Sequence, residues 1–175
     1  SSPTNLYGAT KLCADKLFLS ANTLVGKKIT TFSVARYGNV FGSRGSVIPL
    51  FLDLVKKKQK LIITDPNMTR FNIDLDDAVK LVVNVIKTSV GGEIFVPKIS
   101  SYKIMDIVRA IQDKKNINIT GIRPGEKLHE ELISKSESYN TFDAGNYFII
   151  AGNQISINFY KKKKYKKKSI GNNYN

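Results

Sequence analysis

At 175 residues and 42% apolar content the chain can bury a core of its own, while no apolar run reaches the roughly 18 residues of a membrane span. One cysteine and one histidine exclude an internal disulfide and a Cys- or His-rich metal cluster, and a lone thiol suits a reducing cytoplasm. The net charge of +14 raises nucleic acid as a partner, but 23 of the 28 basic residues are Lys and Lys161–Lys164 with Lys166–Lys168 carry seven of them. Base and phosphate recognition favours the planar guanidinium fork, so the expected reading is a solvated basic surface, with no nucleic-acid interface.

In chain order, helical and strand periodicities alternate, which predicts an α/β chain. A helix is expected from Asn5 to Leu24, with Leu6, Ala9, Cys13, Leu17, Ala21 and Leu24 on one stripe, capped by Thr4 or Asn5 and closed by Gly26. Cys13 reads as core. Ile29 to Ala35 predicts a buried strand, and Gly38, Gly42 and Gly45 mark a turn with close backbone approach. A helix about Pro49 to Lys58, a short strand Leu61 to Thr64, a turn at Asp65-Pro66-Asn67 and an extended Thr69 to Ile73 follow. Asp74 or Asp76 caps an amphipathic helix through Val79, Val82, Val83 and Ile86, ended by Gly91-Gly92. Next come a strand from Glu93 to Val96 and a helix through Ile104, Ile107, Val108 and Ile111. A strand Ile117 to Ile122, a helix from Pro124 to about Ile133 carrying His129, and a strand Tyr147 to Ile150 complete the body. Beyond Ala151 the polar, Lys-rich composition predicts a mobile tail, residues 151–175.

The sharpest chemical feature is Tyr7-Gly8-Ala9-Thr10-Lys11. Four residues apart on a helix, Tyr7 and Lys11 project from one face. An ammonium beside a phenol favours the phenolate electrostatically, and a phenolate can take a proton from a sugar hydroxyl as hydride leaves the same carbon. Such a pair also arises by chance on a solvated helix.

The context narrows the choice. Asn5-Leu6-Tyr7-Gly8-Ala9-Thr10-Lys11, Arg36-Tyr37-Gly38-Asn39-Val40-Phe41-Gly42 and Ile122-Arg123-Pro124-Gly125-Glu126-Lys127 stand in the order and spacing of extended short-chain dehydrogenases. With Gly42 to Val47 and Met68-Thr69-Arg70-Phe71, the chain resembles the inverting UDP-N-acetylglucosamine 4,6-dehydratases over about Ser2 to Ile150. The resemblance implies the C-terminal part of such an enzyme over residues 2–150, with an incomplete Rossmann-like sheet plus a smaller substrate-binding subdomain. It implies NADP as cofactor, held by Tyr7, Lys11 and Tyr37, with Tyr7 and Lys11 catalytic. It implies a UDP-sugar approached by Asn39, Ser46, Val47, Thr64, Arg70, Arg123 and Glu126, with the two Arg facing the diphosphate. For each Arg a surface ion pair remains open, and Glu126 is expected either to accept from the nucleoside or to orient Arg123. The resemblance further implies a cytoplasmic homo-oligomer making a 4-keto-6-deoxy sugar nucleotide for surface polysaccharide or flagellin glycosylation. It also implies a glycine-rich cofactor loop and an Asp-Lys elimination pair upstream of Ser1. The chain opens without Met and reads as cut from something longer, inactive alone. A nucleotide-sugar 4-epimerase shares Tyr7 and Lys11, and a polyanion-binding module built on the Lys run is the alternative of another class.

Overall fold

The computed structural model describes residues 1–26, 29–112, 116–167 and 174. In chain order the elements are α1 (Leu6–Ala21), β1 (Val34–Ala35), β2 (Asn39–Val40), α2 (Val47–Lys56), β3 (Leu61–Ile63), β4 (Thr69–Ile73), α3 (Leu75–Thr88) and β5 (Glu93–Pro97). They continue with β6 (Ser101–Lys103), α4 (Ile104–Ile111), β7 (Ile117–Ile119), α5 (Lys135–Ser138), β8 (Thr141–Asp143), β9 (Tyr147–Ala151), α6 (Gln154–Lys162) and β10 (Lys166–Lys167). Two compact units share these elements: Ser1–Tyr37 with Asp76–Lys98 and Glu131–Asn175, and Gly38–Leu75 with Ile99–Glu130.

The first unit is built on a mixed five-stranded sheet in the order β1-β5-β9-β8-β10. β1 runs parallel to β5, while β9 pairs antiparallel with both β5 and β8. All five residues of β5 are buried, as a central strand covered on both faces requires. Its core gathers Leu81 and Val85 of α3, Phe95, Phe142, Ile149 and Tyr160. Apolar burial of this kind contributes about 1.5–3 kcal/mol per large side chain.

The second unit carries two small sheets, β2-β4-β6 and β3-β7, around Phe51, Leu61, Ile63, Met68, Ile104 and Val108. Gly38 makes the close approach expected of it: a Cβ there would lie 2.5 Å from the Phe71 carbonyl oxygen and 2.6 Å from Phe71 Cβ. Gly42 and Gly45, at φ +68° and +77°, supply the turn. Gly38→Ala is therefore expected to force β2 away from β4 and to destabilise by about 1–3 kcal/mol, read as a lowered urea midpoint; an unchanged midpoint would refute the close contact.

Several expectations are corrected. The buried strand expected over Ile29 to Ala35 is regular only at Val34–Ala35; before it the Phe32 carbonyl accepts from the Gly92 N–H, and Ile29 is 97% exposed. Pro124 starts no helix: Gly125 adopts φ +77° and the Glu126 N–H bonds back to the Arg123 carbonyl, closing a turn. A left-handed residue at the second position ends helical winding before it begins. His129 instead bridges to Thr69 of β4. Cys13 is exposed, and none of the described residues of α1 is buried. Finally, the stretch after Ala151 is structured as far as Lys167. Asn153 caps α6 by accepting from the Ser156 N–H, Tyr160 is 2% exposed, and β10 pairs with β8. Composition misled because Ser156 and Tyr160, four apart on one face, are enough to seat the helix. Residues 168–173 and 175 of the expected tail lie outside the described residues.

Candidate active site

α1 begins where Asn5, in extended backbone, accepts a hydrogen bond from the Gly8 N–H at 2.8 Å, satisfying a donor the first turn leaves orphaned. Tyr7 then lies in the first turn, 73% exposed. The Lys11 ammonium sits one turn on, 5.3 Å from the centre of the Tyr7 ring, within cation–π range. The sequence-predicted pair is thus together, with the Tyr7 phenol exposed.

What fixes α1 is mostly polar. Near its C-terminus Asn22 donates to the Phe32 carbonyl and accepts from the Phe32 N–H, each at 2.9 Å. In its middle, Asp15 accepts from Arg36 Nη2 at 2.9 Å and from Nε at 3.2 Å. Arg36 closes β1, its own N–H bonded to the Phe95 carbonyl of β5. The same guanidinium donates to both oxygens of Glu137 at 3.0 Å and to the Leu132 carbonyl at 2.9 Å. Burial opposes charge on Arg36, but its bonds to Glu137 and Asp15 outweigh that and raise its pKa above the ordinary value. Burial likewise pushes the Glu137 carboxyl up, and Arg36 with the Ser134 donors more than reverses it, leaving it below the usual range. Tyr37, exposed, follows Arg36 directly.

The remaining predicted residues belong to the second unit. Asn39, exposed, opens β2 opposite Asn72 of β4. Ser46 stands at the N-cap of α2 with its side-chain oxygen buried and unbonded, and Val47 is the first helical residue. Thr64, Arg70 and Glu126 converge. Glu126 accepts from the Thr64 hydroxyl at 3.3 Å and lies 3.8 Å from Arg70 Nη2. Arg70, with only 11% of its side chain exposed, donates to the carbonyls of Thr69 and Leu128 and has Glu130 at 3.7 Å. Glu126 also accepts from the backbone N–H of Arg123 at 3.2 Å, so it holds the turn from which the exposed Arg123 projects. His129 Nδ1 lies 2.9 Å from the Thr69 hydroxyl, beside Arg70 in sequence.

Sequence reasoning missed Arg36, Asp15 and Glu137. A signal existed: Asp15 continues the Tyr7–Lys11 spacing by four, and Arg36 is one of five Arg, set just before Tyr37. It also missed the buried Glu93, which nothing in its local pattern marks. Among the described residues no cluster of His, Cys, Asp and Glu is arranged to hold a metal ion, and no helix is long and apolar enough to cross a membrane.

Against known proteins, residues 1–152 match the family model described as polysaccharide biosynthesis protein. The UDP-N-acetylglucosamine 4,6-dehydratase (inverting) of Campylobacter jejuni serotype O:2 is 51% identical over 162 residues, 92% of this chain and 48% of that protein. The UDP-glucose 4-epimerase of Rickettsia bellii strain OSU 85-389 is 39% identical over 91% of this chain and 48% of its own length. The crystal structure of Pen from Bacillus thuringiensis superposes with a TM-score of 0.86 at 38% identity, covering 99% of this chain and 52% of that one. The chain spans about half the length of the curated relatives it matches. The mixed α/β arrangement is that of about half of an extended short-chain dehydrogenase, and the chain belongs to the polysaccharide biosynthesis protein family, related to nucleotide-sugar dehydratases.

Proposed function

We propose that this chain supplies the sugar-oxidising pair and the diphosphate-binding residues of an NADP-dependent, C5-inverting UDP-N-acetylglucosamine 4,6-dehydratase. The observation that carries this is the exposed Tyr7 phenol with the Lys11 ammonium one turn away, in a chain 51% identical to a relative of that name. An open phenol flanked by a cation also fits the ribose of a nicotinamide dinucleotide, with Lys11 and Tyr37 as its holders. When bound, that cofactor supplies the acceptor and later the donor of hydride. Tyr7 Oη takes the proton of the sugar C4 hydroxyl as C4 becomes a ketone, and Lys11 stabilises the phenolate. The ketone acidifies C5–H, which allows water to be lost across C5 and C6. Return of the hydride to C6 and of a proton to C5 then gives a 4-keto-6-deoxy sugar nucleotide, for surface polysaccharide or flagellin glycosylation.

In the second unit, Arg70 and Arg123 neutralise the diphosphate through charge-assisted bonds, with Asn39, Ser46, Val47 and Thr64 toward the nucleotide sugar. Glu126 serves mainly to orient the Arg123 turn. Calorimetric titration of UDP tests this assignment. Arg70→Gln and Arg123→Gln are each expected to weaken binding about 10-fold to 100-fold, the equivalent of about 1.4–2.8 kcal/mol. Unchanged affinity in both would leave Arg70 as a structural partner of Glu126 and Glu130 and Arg123 as a solvated side chain.

A further inference from the structure

We propose that Arg36 is a positioning residue: its grip on Asp15 fixes the rotation of α1 about its own axis, and with it the placement of Tyr7 and Lys11. The inference rests on the reading of Tyr7 as the proton acceptor. Tyr7, Lys11 and Asp15 follow at intervals of four, and each interval advances about 40° around a helix of 3.6 residues per turn. The three side chains therefore form one stripe, and Asp15 stands only about 6 Å along the axis from Lys11.

Apolar packing holds α1 only loosely: none of its residues is buried, Leu6 and Leu17 are 81% and 68% exposed, and its ring contact, Phe18 with Phe32 at 6.2 Å, lies toward the C-terminal end. The Asn22–Phe32 bonds tether one end of the helix. The Asp15–Arg36 pair is the hold that acts on the stripe itself, off the helix axis.

Arg36 cannot follow a turning helix. Its five N–H donors are all engaged: two with Asp15, two with Glu137 and one with the Leu132 carbonyl. Glu137 is anchored in turn by the Ser134 hydroxyl and N–H, at 2.9 and 3.0 Å. A rotation of about 20° would carry atoms at the outer helix radius of ~5–6 Å through about 2 Å. Misplacement by about 1 Å can already cost on the order of 10²-fold in rate.

The test uses the full-length protein with UDP-N-acetylglucosamine, comparing Asp15→Asn, Arg36→Lys and Tyr7→Phe by steady-state kinetics and thermal melting. Asp15→Asn keeps the shape and removes the charge; Arg36→Lys keeps the charge and removes the fork. The expected result is a kcat lowered at least about tenfold, with KM within about twofold, in variants that still fold. Should Arg36→Lys fail to fold, Asp15→Asn, on the less buried side of the pair, carries the comparison alone. A folded Asp15→Asn with wild-type kcat beside a crippled Tyr7→Phe would overturn the positioning role and leave the site intact. Matched losses in kcat and affinity would overturn it too, as general loosening. A near-wild-type Tyr7→Phe would instead sink the site reading itself.

Discussion

Tyr7→Phe is expected to lower turnover of the full-length protein by about 10²-fold to 10⁴-fold, the range supplied by a positioned general base. The substitution removes one hydroxyl and keeps the ring. Tyr7 is 73% exposed, and its ring contact is with Lys11 on the same helix, so folding and substrate affinity are expected to change little. The loss belongs in kcat and not in KM, because the proton is transferred only as C4 is oxidised. Lys11→Met is expected to be crippled as well, with weaker cofactor retention, if as proposed the ammonium serves both the phenolate and the ribose. If Tyr7 were merely a solvated helix residue, Tyr7→Phe would cost less than about threefold, under about 1 kcal/mol of barrier. Single-turnover rates for the two variants and the wild type separate the outcomes.

Glu93→Gln carries the largest expected effect on stability. Glu93 is fully buried at the start of β5, and four donors face it: the N–H groups of Val90 and Gly91 at 2.7 and 2.8 Å, the Ser33 hydroxyl at 2.8 Å and the Tyr160 phenol at 2.9 Å. Two of these groups are backbone N–H donors that can only donate, so each carboxyl oxygen has one partner that requires an acceptor. Burial and the Glu93 charge both push the Tyr160 phenol far above its ordinary pKa, so it stays a donor. In Glu93→Gln one oxygen becomes an NH₂ group. The two hydroxyls can rotate to accept from it, but the N–H of Val90 or Gly91 cannot. One buried donor is then orphaned and charge-assisted bonds are weakened, a loss of about 2–4 kcal/mol. For a chain of this size that is roughly 5–15 °C in melting temperature. Tyr160→Phe, which removes a single bond, should cost less. A Glu93→Gln protein that melts within a degree of wild type would contradict the account of how α6 is seated.

Much of the fold was legible because its signals are local. Thr69–Ile73 was predicted as extended and is β4 without adjustment, since Phe71 and Ile73 alternate with polar neighbours and both are buried. The helix through Val82 and Ile86 was legible in extent from Asp74 before it and Gly91-Gly92 after it, but its buried face was not: Val79, Val82, Val83 and Ile86 are exposed, and Ala78, Leu81 and Val85 face the core instead. The losses share one cause, which is that they depend on distant partners. Ser101–Lys103 is a strand only because β4 lies antiparallel beside it. Gln154–Lys162 is ordered because Tyr160 finds Glu93, 67 residues away. Pro124 followed by Gly125 looked like a helix start, and the positive φ of Gly125 made it a turn.

The site divides in the same way. Tyr7 and Lys11 were legible because four residues on a helix fix their proximity. Thr64, Arg70 and Glu126 were named from the resemblance alone, and no spacing rule brings them together: they meet only in the folded second unit. The Arg36 hub joins positions 15, 36 and 137, and nothing local ties those together.

The most direct measurement is proton NMR of UDP-N-acetylglucosamine incubated with the full-length protein and NADP. The account predicts a new methyl doublet, from C6 reduced to CH₃ next to C5–H, in a 4-keto-6-deoxy nucleotide sugar whose C5 configuration is inverted. Conversion to the C4 epimer without any methyl signal, or a spectrum that does not change, would contradict it.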